Sequence, residues 1–261
     1  MNHQELAEKL ERPEDSYKGM NGKVGVIGGS VDFSGAPALN AEAALRTGAD
    51  LVKILTSSKV RDTVRGYSEN FIVESYESSY FDTESLKKAQ KLSEWSDVIV
   101  IGSGLSKPDE EALKKFAEAS KCPLVIDAES IKPLIELDNL DAVFTPHNQE
   151  ASIMREIYGS VKMFSREKNC SVVVTGSVDE IFVNGKKYLN TSGCSAMTVG
   201  GTGDVLAGVV ASLVSQGLEP REASRYGAWL NGKAGEKAAN RKGNGMLATD
   251  LVEAIPEVVN E

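Results

Sequence analysis

Residues 199–204 read VGGTGD, and they lead directly into the apolar stretch VLAGVVASLV at residues 205–214. An apolar run of this length after closely spaced glycines predicts a buried helix. The first N–H groups of a helix have no partner within it, and with the helix dipole they bind anions. We therefore expect Gly201, Thr202 and Gly203 to form an anion hole for a phosphoryl group during its transfer.

Asp204 follows the predicted anion hole immediately. A carboxylate at this point would repel a bound phosphate, which favours a role in chemistry over a role in binding alone. It could accept the proton of a substrate hydroxyl as the hydroxyl oxygen attacks phosphorus. The alternative is an ordinary acidic residue in the first turn of a helix, where the dipole favours it. The spacing alone leaves both interpretations open.

Six short apolar segments precede this helix, and their nearly continuous hydrophobicity is typical of strands buried on both faces of a parallel sheet. They are Lys23–Ile27, Leu51–Leu55, Asp97–Ile101, Pro123–Ile126, Ala142–Phe144 and Ser171–Thr175. Helices are predicted at Pro37–Gly48, Pro108–Ser120, Gly201–Gly217, Pro220–Asn240 and Ala248–Val259. Asn184 and Gly185 predict a type I′ turn between strands Glu180–Val183 and Lys186–Asn190. The fold class is therefore α/β, with a mostly parallel central sheet flanked by helices.

Two more glycine clusters, Gly28–Ser30 and Gly102–Gly104, each follow a predicted strand directly. Ligands of open α/β sheets bind beyond the carboxyl ends of the strands, where such turns meet. Tight turns without a ligand are the alternative. At the same edge, Asp127 could hold magnesium or position a ligand, or it could cap the helix from Ser130, which is the simpler interpretation. His147 could equally bind a ligand or stabilise a helix start.

Two motif matches carry little weight. Residues 227–233, GAWLNGK, match the letters of a phosphate loop, but Ala234 stands where Ser or Thr should bind magnesium, and the segment is predicted to be helical. Gly102–Gly104 lacks the third glycine of a dinucleotide-binding fingerprint.

Composition excludes several classes of protein. The 261 residues are 41% hydrophobic, enough for a full core, and their net charge of −9 argues against a surface that binds nucleic acid. No apolar run is long enough to span a membrane, and the N-terminus does not resemble a secretory signal. Cys122, Cys170 and Cys194 have neither disulfide-framework nor zinc-site spacing. We expect a cytoplasmic protein without nucleic-acid or membrane partners.

Several segments together resemble one known family. They are Gly28–Ser30, Phe33–Pro37, AALRTGADLV at residues 43–52, and then IGSGL, VIDAE, TPH and VGGTGDVLAG in that order. This set resembles the ADP/ATP-dependent NAD(P)H-hydrate dehydratases, a carbohydrate-kinase-like family with a ribokinase-type fold. The resemblance runs from about Gly22 to the C-terminus. It implies a three-layer fold, with residues 1–20 as a polar extension and residues 21–261 as one catalytic domain.

The resemblance also implies an activity. Members of the family repair hydrated NADH and NADPH: ADP or ATP, with Mg²⁺, phosphorylates the hydroxyl of the hydrated ring, and loss of phosphate restores the double bond. Many are tetramers, so a homo-oligomer is implied here.

Roles for individual residues follow from the same resemblance. Asp204 would be the base, and the Gly201–Gly203 amides would hold the phosphoryl group. The hydrated-cofactor pocket would be lined by Ala36, Gly104, His147 and Asp204. The adenine nucleotide would contact Thr175, Gly176, Ser177, Val178, Asp179, Asn190 and Gly203. No metal ligand is assigned.

Some positions depart from the family pattern. Thr175 replaces a common lysine, whose charge would lie near the phosphates, and Gln149 replaces a common glycine. Two other functions therefore stay open: a ribokinase-type small-molecule kinase, and a nucleotide- or cofactor-binding protein without turnover.

Overall fold

The computed structural model describes residues 3–259, and its centre is a nine-stranded sheet. The strands are β1 Lys23–Ile27, β2 Leu51–Ser57, β3 Ile72–Tyr76, β4 Val98–Ile101, β5 Leu124–Ile126, β6 Ala142–Phe144, β7 Ser171–Val174, β8 Asp179–Val183 and β9 Lys186–Asn190. Their order across the sheet is β3-β2-β1-β4-β5-β6-β7-β8-β9. Neighbouring strands from β3 to β7 are parallel, and Val24 of β1 lies opposite Val52 of β2 and Val98 of β4. Strand β8 runs antiparallel to β7, and β9 runs antiparallel to β8.

Helices cover both faces of this sheet. They are α1 His3–Lys9, α2 Ala36–Thr47, α3 Arg61–Arg65, α4 Leu86–Trp95, α5 Glu110–Ala119, α6 Ile131–Leu134, α7 Glu150–Tyr158, α8 Val161–Glu167, α9 Thr202–Ser215, α10 Pro220–Lys242 and α11 Ala248–Val259. The predicted fold class, a three-layer arrangement around a mostly parallel sheet, is confirmed. None of the helices in the described part of the chain is long and apolar enough to cross a membrane.

Alternate residues of the central strands face opposite helical layers. Val98 and Val100 of β4 belong to the core formed with α2, α9, α10 and α11. Ile99 and Ile101 of the same strand belong to the core formed with α4 to α8. Burial of both faces explains the continuous apolar runs, and each fully buried side chain stabilises the fold by about 1.5–3 kcal/mol.

Helix α9 is buried on all sides because small residues let its neighbours approach closely. A Cβ on Gly208 would lie 2.2 Å from the carbonyl oxygen of Asn40 in α2. A Cβ on Gly227 of α10 would lie 2.5 Å from Val210 Cγ2 in α9. The apolar stretch at residues 205–214 is therefore the central helix of one layer, with its first turn at the sheet edge.

Several features differ from the sequence prediction. Strand β3, at one edge of the sheet, was missed because Ile72 and Glu74 are exposed and no continuous apolar run forms. Helix α5 begins at Glu110 rather than Pro108, since the Asp109 carboxylate caps it by accepting from the N–H groups of Glu111 and Ala112. Within the predicted polar extension, Leu6 of α1 is buried in the core.

Candidate active site

Two glycine turns meet where the strand order reverses. The chain passes from β1 to β2 on one side and later returns to β4 on the other, which creates a crevice between the ends of β1 and β4. A Cβ on Gly28 would lie 2.5 Å from Ser103 O, and Gly29 N–H donates to that same oxygen at 3.0 Å. The glycines are therefore needed for close packing of the turns, and this packing also shapes the crevice.

The turn at Gly102–Gly104 also packs against two other segments, one at Asp127 and one at Ala36. Gly102 has φ +127°, and a Cβ on it would lie 1.8 Å from Asp127 O, so only glycine fits. Gly104 has φ +73°, and a Cβ there would lie 3.2 Å from Ala36 Cβ. Gly104 and Ala36, both predicted for the hydrated-cofactor pocket, are thus neighbours at the crevice.

The first turn of α9 presents free N–H groups at the same edge. Gly201 precedes the helix in the left-handed region, at φ +95°, and Val205 N–H donates to its carbonyl at 3.0 Å. The N–H groups of residues 202–204 therefore precede the first intrahelical hydrogen bond. Thr202 Oγ1 donates to Met197 O at 3.0 Å and fixes the preceding loop, while Gly203 is exposed. These N–H groups are available to an anion, and the anion hole stays a prediction.

Asp204 points into a cluster of polar side chains rather than into solvent. Its backbone carbonyl accepts from Asn40 Nδ2 at 2.7 Å, which joins α9 to α2. Burial, with the Asp127 carboxylate nearby, raises the pKa of Asp204 to about 7. A carboxyl group with a pKa near neutrality is suited to general-base chemistry. Its surroundings therefore differ from those of an ordinary solvated acid in the first turn of a helix.

Asp127 is buried and accepts from two hydroxyl groups. Thr145 Oγ1 donates to Oδ1 at 2.7 Å, and Ser103 Oγ donates to Oδ2 at 2.9 Å. Burial raises the pKa of Asp127. Within residues 3–259 its side chain makes no capping hydrogen bond to the turn that follows, so the predicted cap is wrong.

His147 lies after β6, beside the same edge. Its Nδ1 accepts from the N–H groups of Gln149 and Glu150 at 3.1 and 3.3 Å, so the proton of the neutral ring is on Nε2. The side chain is 55% exposed, and the backbone of His147 pairs with that of Thr175 in a single parallel β-bridge. His147 thus stabilises a helix start through Nδ1, and its Nε2 lies 3.5 Å from Glu150 Oε1.

A cleft of about 450 Å³ adjoins the α9 N-terminus. The predicted nucleotide and phosphoryl residues that line it are Thr175, Gly176, Ser177, Asp179, Thr202 and Gly203. Val178 is exposed in the same turn but does not line the cleft. Asn190 is buried, and its Nδ2 donates to Asp179 Oδ2 at 2.9 Å and to Ala228 O at 3.1 Å. Asn190 therefore supports the β7–β8 turn through Asp179 and does not itself line the cleft.

The cleft offers uncharged hydrogen-bond donors. Its other lining residues are Ser192, Gly193, Cys194, Ser195, Met197, Thr198, Leu206, Asn231 and Gly232, so the described lining includes no lysine or arginine. Nor does the described chain contain a group of three or more His, Cys, Asp or Glu side chains placed to hold a metal ion. Magnesium in such sites is usually held largely by substrate phosphates, which fits a metal that arrives with its nucleotide.

Sequence reasoning missed several residues of this site. Ser103 and Thr145 bind Asp127, and Asn40 fixes the start of α9. Asn231 lines the cleft with a buried Oδ1 that has no hydrogen-bond partner among the described residues. Asn40 and Asn231 could have been found from the sequence, because each is an amide on an otherwise apolar or small-residue helix face.

Comparisons with known proteins identify the family of this chain. A family model for NAD(P)H-hydrate dehydratase matches residues 24–257. The ADP-dependent (S)-NAD(P)H-hydrate dehydratase of Haloterrigena turkmenica is 40% identical over 239 residues, which cover 92% of this chain and 93% of the relative.

Two solved structures share the fold. A ribokinase-like superfamily protein from Enterococcus faecalis has a TM-score of 0.86 and 26% identity, covering 100% of this chain and 94% of the other. The ADP/ATP-dependent NAD(P)H-hydrate dehydratase of Bacillus subtilis, co-crystallised with ATP and Mg²⁺, has a TM-score of 0.81 and 24% identity, covering 98% and 96%. The match along nearly the whole sequence shows that this chain belongs to the NAD(P)H-hydrate dehydratase family.

Proposed function

We propose that this enzyme removes water from hydrated NADH and NADPH, with ADP or ATP as the phosphoryl donor. The observation that carries the proposal is the position of Asp204. Its half-buried carboxyl group, whose pKa is raised to about 7, lies near Ser103, the neighbour of Gly104 in the chain, and directly follows Thr202 and Gly203, which line the cleft. A substrate hydroxyl in the crevice and a nucleotide phosphate in the cleft would therefore meet at this side chain.

In the first step, Asp204 acts as a general base. It takes the proton of the ring hydroxyl, and the electron pair of the broken O–H bond stays on the ring oxygen as that oxygen attacks the terminal phosphorus. The bond from phosphorus to the nucleotide then breaks. The N–H groups at the start of α9 stabilise the negative charge on the transferring phosphoryl group.

In the second step, the phosphate ester becomes the leaving group. The C–O bond breaks, the departing phosphate takes a proton from the neighbouring ring carbon, and the electron pair of that C–H bond forms the double bond of the reduced ring. Ala36, Gly104 and His147 would line the ring's pocket, and Gly104 and Ala36 are close neighbours there.

The co-substrate is proposed to be the magnesium complex of the nucleotide. When bound, the cation neutralises phosphate charge in a cleft whose described lining carries no cationic side chain. The turn at Thr175–Asp179 would lie against the nucleotide, with Asn190 supporting it through Asp179. ADP is named as the donor of the Haloterrigena turkmenica relative.

The family resemblance supports three further proposals: a homo-oligomer, in the form of a tetramer; residence in the cytoplasm; and one catalytic domain at residues 21–261 after a short extension. Light scattering of the purified protein would test the oligomer, and a mass of one chain would contradict it.

Phosphorus NMR distinguishes this activity from that of a small-molecule kinase. With hydrated NADH and magnesium–ADP, we expect inorganic phosphate and AMP to accumulate in equal amounts, matched by recovered NADH. A stable phosphate ester would instead favour a kinase that stops after the first step. Nucleotide binding without any conversion would favour a binding protein.

A further inference from the structure

Asp32 attaches the turn after β1 to two other segments. Its Oδ2 accepts from Ser106 Oγ at 2.6 Å, in the turn after β4, and from Tyr80 Oη at 3.2 Å, beyond the end of β3. The hydrogen bonds from Ser106 and Tyr80, with the nearby Lys107 charge, lower the pKa of Asp32, so the carboxylate stays ionised at neutral pH. Asp32 has no part in the mechanism proposed above.

Phe33, the next residue in the chain, lies beside the proposed pocket for the ring. A Cβ on Gly104 would lie 3.2 Å from Phe33 Cβ and 3.2 Å from Ala36 Cβ, so the three residues meet at one point. Gly104 and Ala36 are two of the residues that would line this pocket. Phe33 is 55% exposed, so an apolar surface stays accessible there. A single exposed apolar side chain is ordinary, and it is this position that gives Phe33 a candidate role.

The backbone of this turn is closed on itself. Ser30 N–H donates to Phe33 O at 2.9 Å, and Phe33 N–H donates to Ser30 O at 3.2 Å. Asp32 N–H donates to Ser30 Oγ at 3.3 Å, and Ser30 is fully buried. Because the turn is small and its first residue is buried, the hydrogen bonds to the Asp32 carboxylate restrain Phe33 as well.

We propose that Asp32 is a positioning residue, which holds the turn at residues 30–33 against Ser106 and Tyr80 so that Phe33 forms one wall of the pocket for the hydrated nicotinamide ring. An aromatic side chain offers such a ring a flat apolar surface. A wall that is already in place binds without the entropy cost of ordering a loop. The identity of the ring rests on the proposed function; the attachment of the turn rests on the hydrogen bonds of Asp32.

Binding of NADH, the product of the proposed reaction, tests the wall. Phe33→Ala should raise the dissociation constant of NADH and the KM for hydrated NADH about tenfold, whereas Phe33→Tyr keeps the ring and should stay within about twofold. The affinity for magnesium–ADP should not change. Val31→Ala is the matched control, since Val31 is a 45% exposed apolar residue of the same loop. An NADH affinity that is unchanged in Phe33→Ala, or that falls equally in Val31→Ala, would overturn the inference.

A double-mutant cycle tests whether Asp32 acts through Phe33. Asp32→Ala should raise the dissociation constant of NADH about three- to tenfold when Phe33 is present, in line with the loss of a hydrogen-bonded attachment. It should raise that constant by less than about 1.5-fold in protein that already carries Phe33→Ala. Asp32→Asn keeps an oxygen acceptor and should recover most of the affinity. Equal losses in the two backgrounds would overturn the positioning role.

Amide hydrogen exchange tests the attachment of the turn without any substrate. Asp32 is exposed, so Asp32→Ala leaves the core intact. The N–H groups of Ser30 and Phe33 should exchange about threefold faster or more in Asp32→Ala and near the wild-type rate in Asp32→Asn. Unchanged exchange in Asp32→Ala would overturn the inference. Faster exchange, together with a wild-type enzyme that neither binds NADH nor converts hydrated NADH, would refute the proposed function and leave the attachment of the turn standing.

Discussion

At the scale of single residues, the account depends most on Asp204. Asp204→Asn keeps the size of the side chain and the bond from Asn40 to the backbone carbonyl, but it removes the proton acceptor. We expect turnover to fall about 100-fold or more, since general-base catalysis contributes factors of that order. The dissociation constant of magnesium–ADP should stay within about twofold of the wild-type value. Steady-state kinetics and calorimetric titration measure the two quantities, and near-normal turnover would refute the assignment of the base.

Thr175 gives a second test at this scale. It lines the cleft beside the α9 N-terminus, the proposed nucleotide site, whose described lining has no cationic side chain. Thr175→Lys should bring a positive charge to the phosphates and tighten nucleotide binding about fivefold or more at low salt, with a smaller gain at high salt. Thr175→Gln is the control with similar reach and no charge. Equal affinities for the lysine and glutamine variants would show that this position does not face the phosphates.

The residue scale also shows what the sequence could not predict. Gly201, Thr202, Gly203 and Asp204 are adjacent in the chain, so their shared position was visible in the motif. Ser103 and Thr145 are short hydroxyl side chains in turns, and their bonds to Asp127 depend on the relative positions of three strand ends. Asp127 fitted a helix-cap pattern that local sequence favours, but these longer-range hydrogen bonds prevailed.

At the scale of elements, the site depends on how closely α9 packs. A Cβ on Gly208 would lie 2.2 Å from Asn40 O, whereas a Cβ on Gly203 would meet nothing within 4 Å. Gly208→Ala should lower the free energy of unfolding by about 1–3 kcal/mol, because α2 and α9 must separate. Gly203→Ala should keep or raise stability by up to about 1 kcal/mol, but it should weaken nucleotide binding by crowding the phosphate site. Denaturant unfolding and nucleotide titration of both variants check the contrast, and equal stabilities would refute it.

Helix α10 contributes a different kind of group to the cleft. Asn231 Oδ1 is buried and has no hydrogen-bond partner within residues 3–259, so a bound nucleotide would supply the missing donor. Asn231→Ala should weaken ADP binding about three- to tenfold, in line with the loss of one hydrogen bond of about 0.5–1.5 kcal/mol. Asn231→Gln retains the amide but displaces it, and it should recover part of that loss at most. An unchanged affinity in Asn231→Ala would place the nucleotide elsewhere in the cleft.

The elements themselves were predicted well where both faces are buried. Strands β1 and β6 have the predicted bounds, and α11 does too, because continuous apolar runs or clear periodicity define them. The edge strand β3 was missed because one side of it faces solvent, so Ile72 and Glu74 form no apolar run. The start of α5 was misplaced by two residues, since the Asp109 cap rather than Pro108 determines it.

At the scale of the whole molecule, the buried carboxyl groups of the site reduce stability at higher pH. The folded-state pKa of Asp204 is about 7, against an ordinary value of 3.8, so the folded protein binds this proton more tightly than the unfolded chain does. The contribution of Asp204 to stability is therefore largest below about pH 4 and is lost as pH rises through about 7. Burial shifts the pKa of Asp127 in the same direction.

This linkage predicts that the ionised carboxyl group of Asp204, the proposed base, destabilises the folded protein. Asp204→Asn should raise the melting temperature at about pH 8, where the wild-type carboxyl is ionised, and should change it little at about pH 5, where that carboxyl is protonated. Thermal unfolding of both proteins at the two pH values measures the difference. The same shift at both values would mean that Asp204 does not titrate between them.

We propose that this molecule couples a nucleotide phosphate to the dehydration of a hydrated nicotinamide ring at Asp204. The most direct test is the near-ultraviolet absorbance of the reduced ring when purified enzyme is mixed with hydrated NADH, magnesium and either ADP or ATP. The account predicts a rise in absorbance that requires the nucleotide, occurs with wild-type enzyme, and is absent with Asp204→Asn. A flat trace with wild-type enzyme that binds the nucleotide would contradict the account.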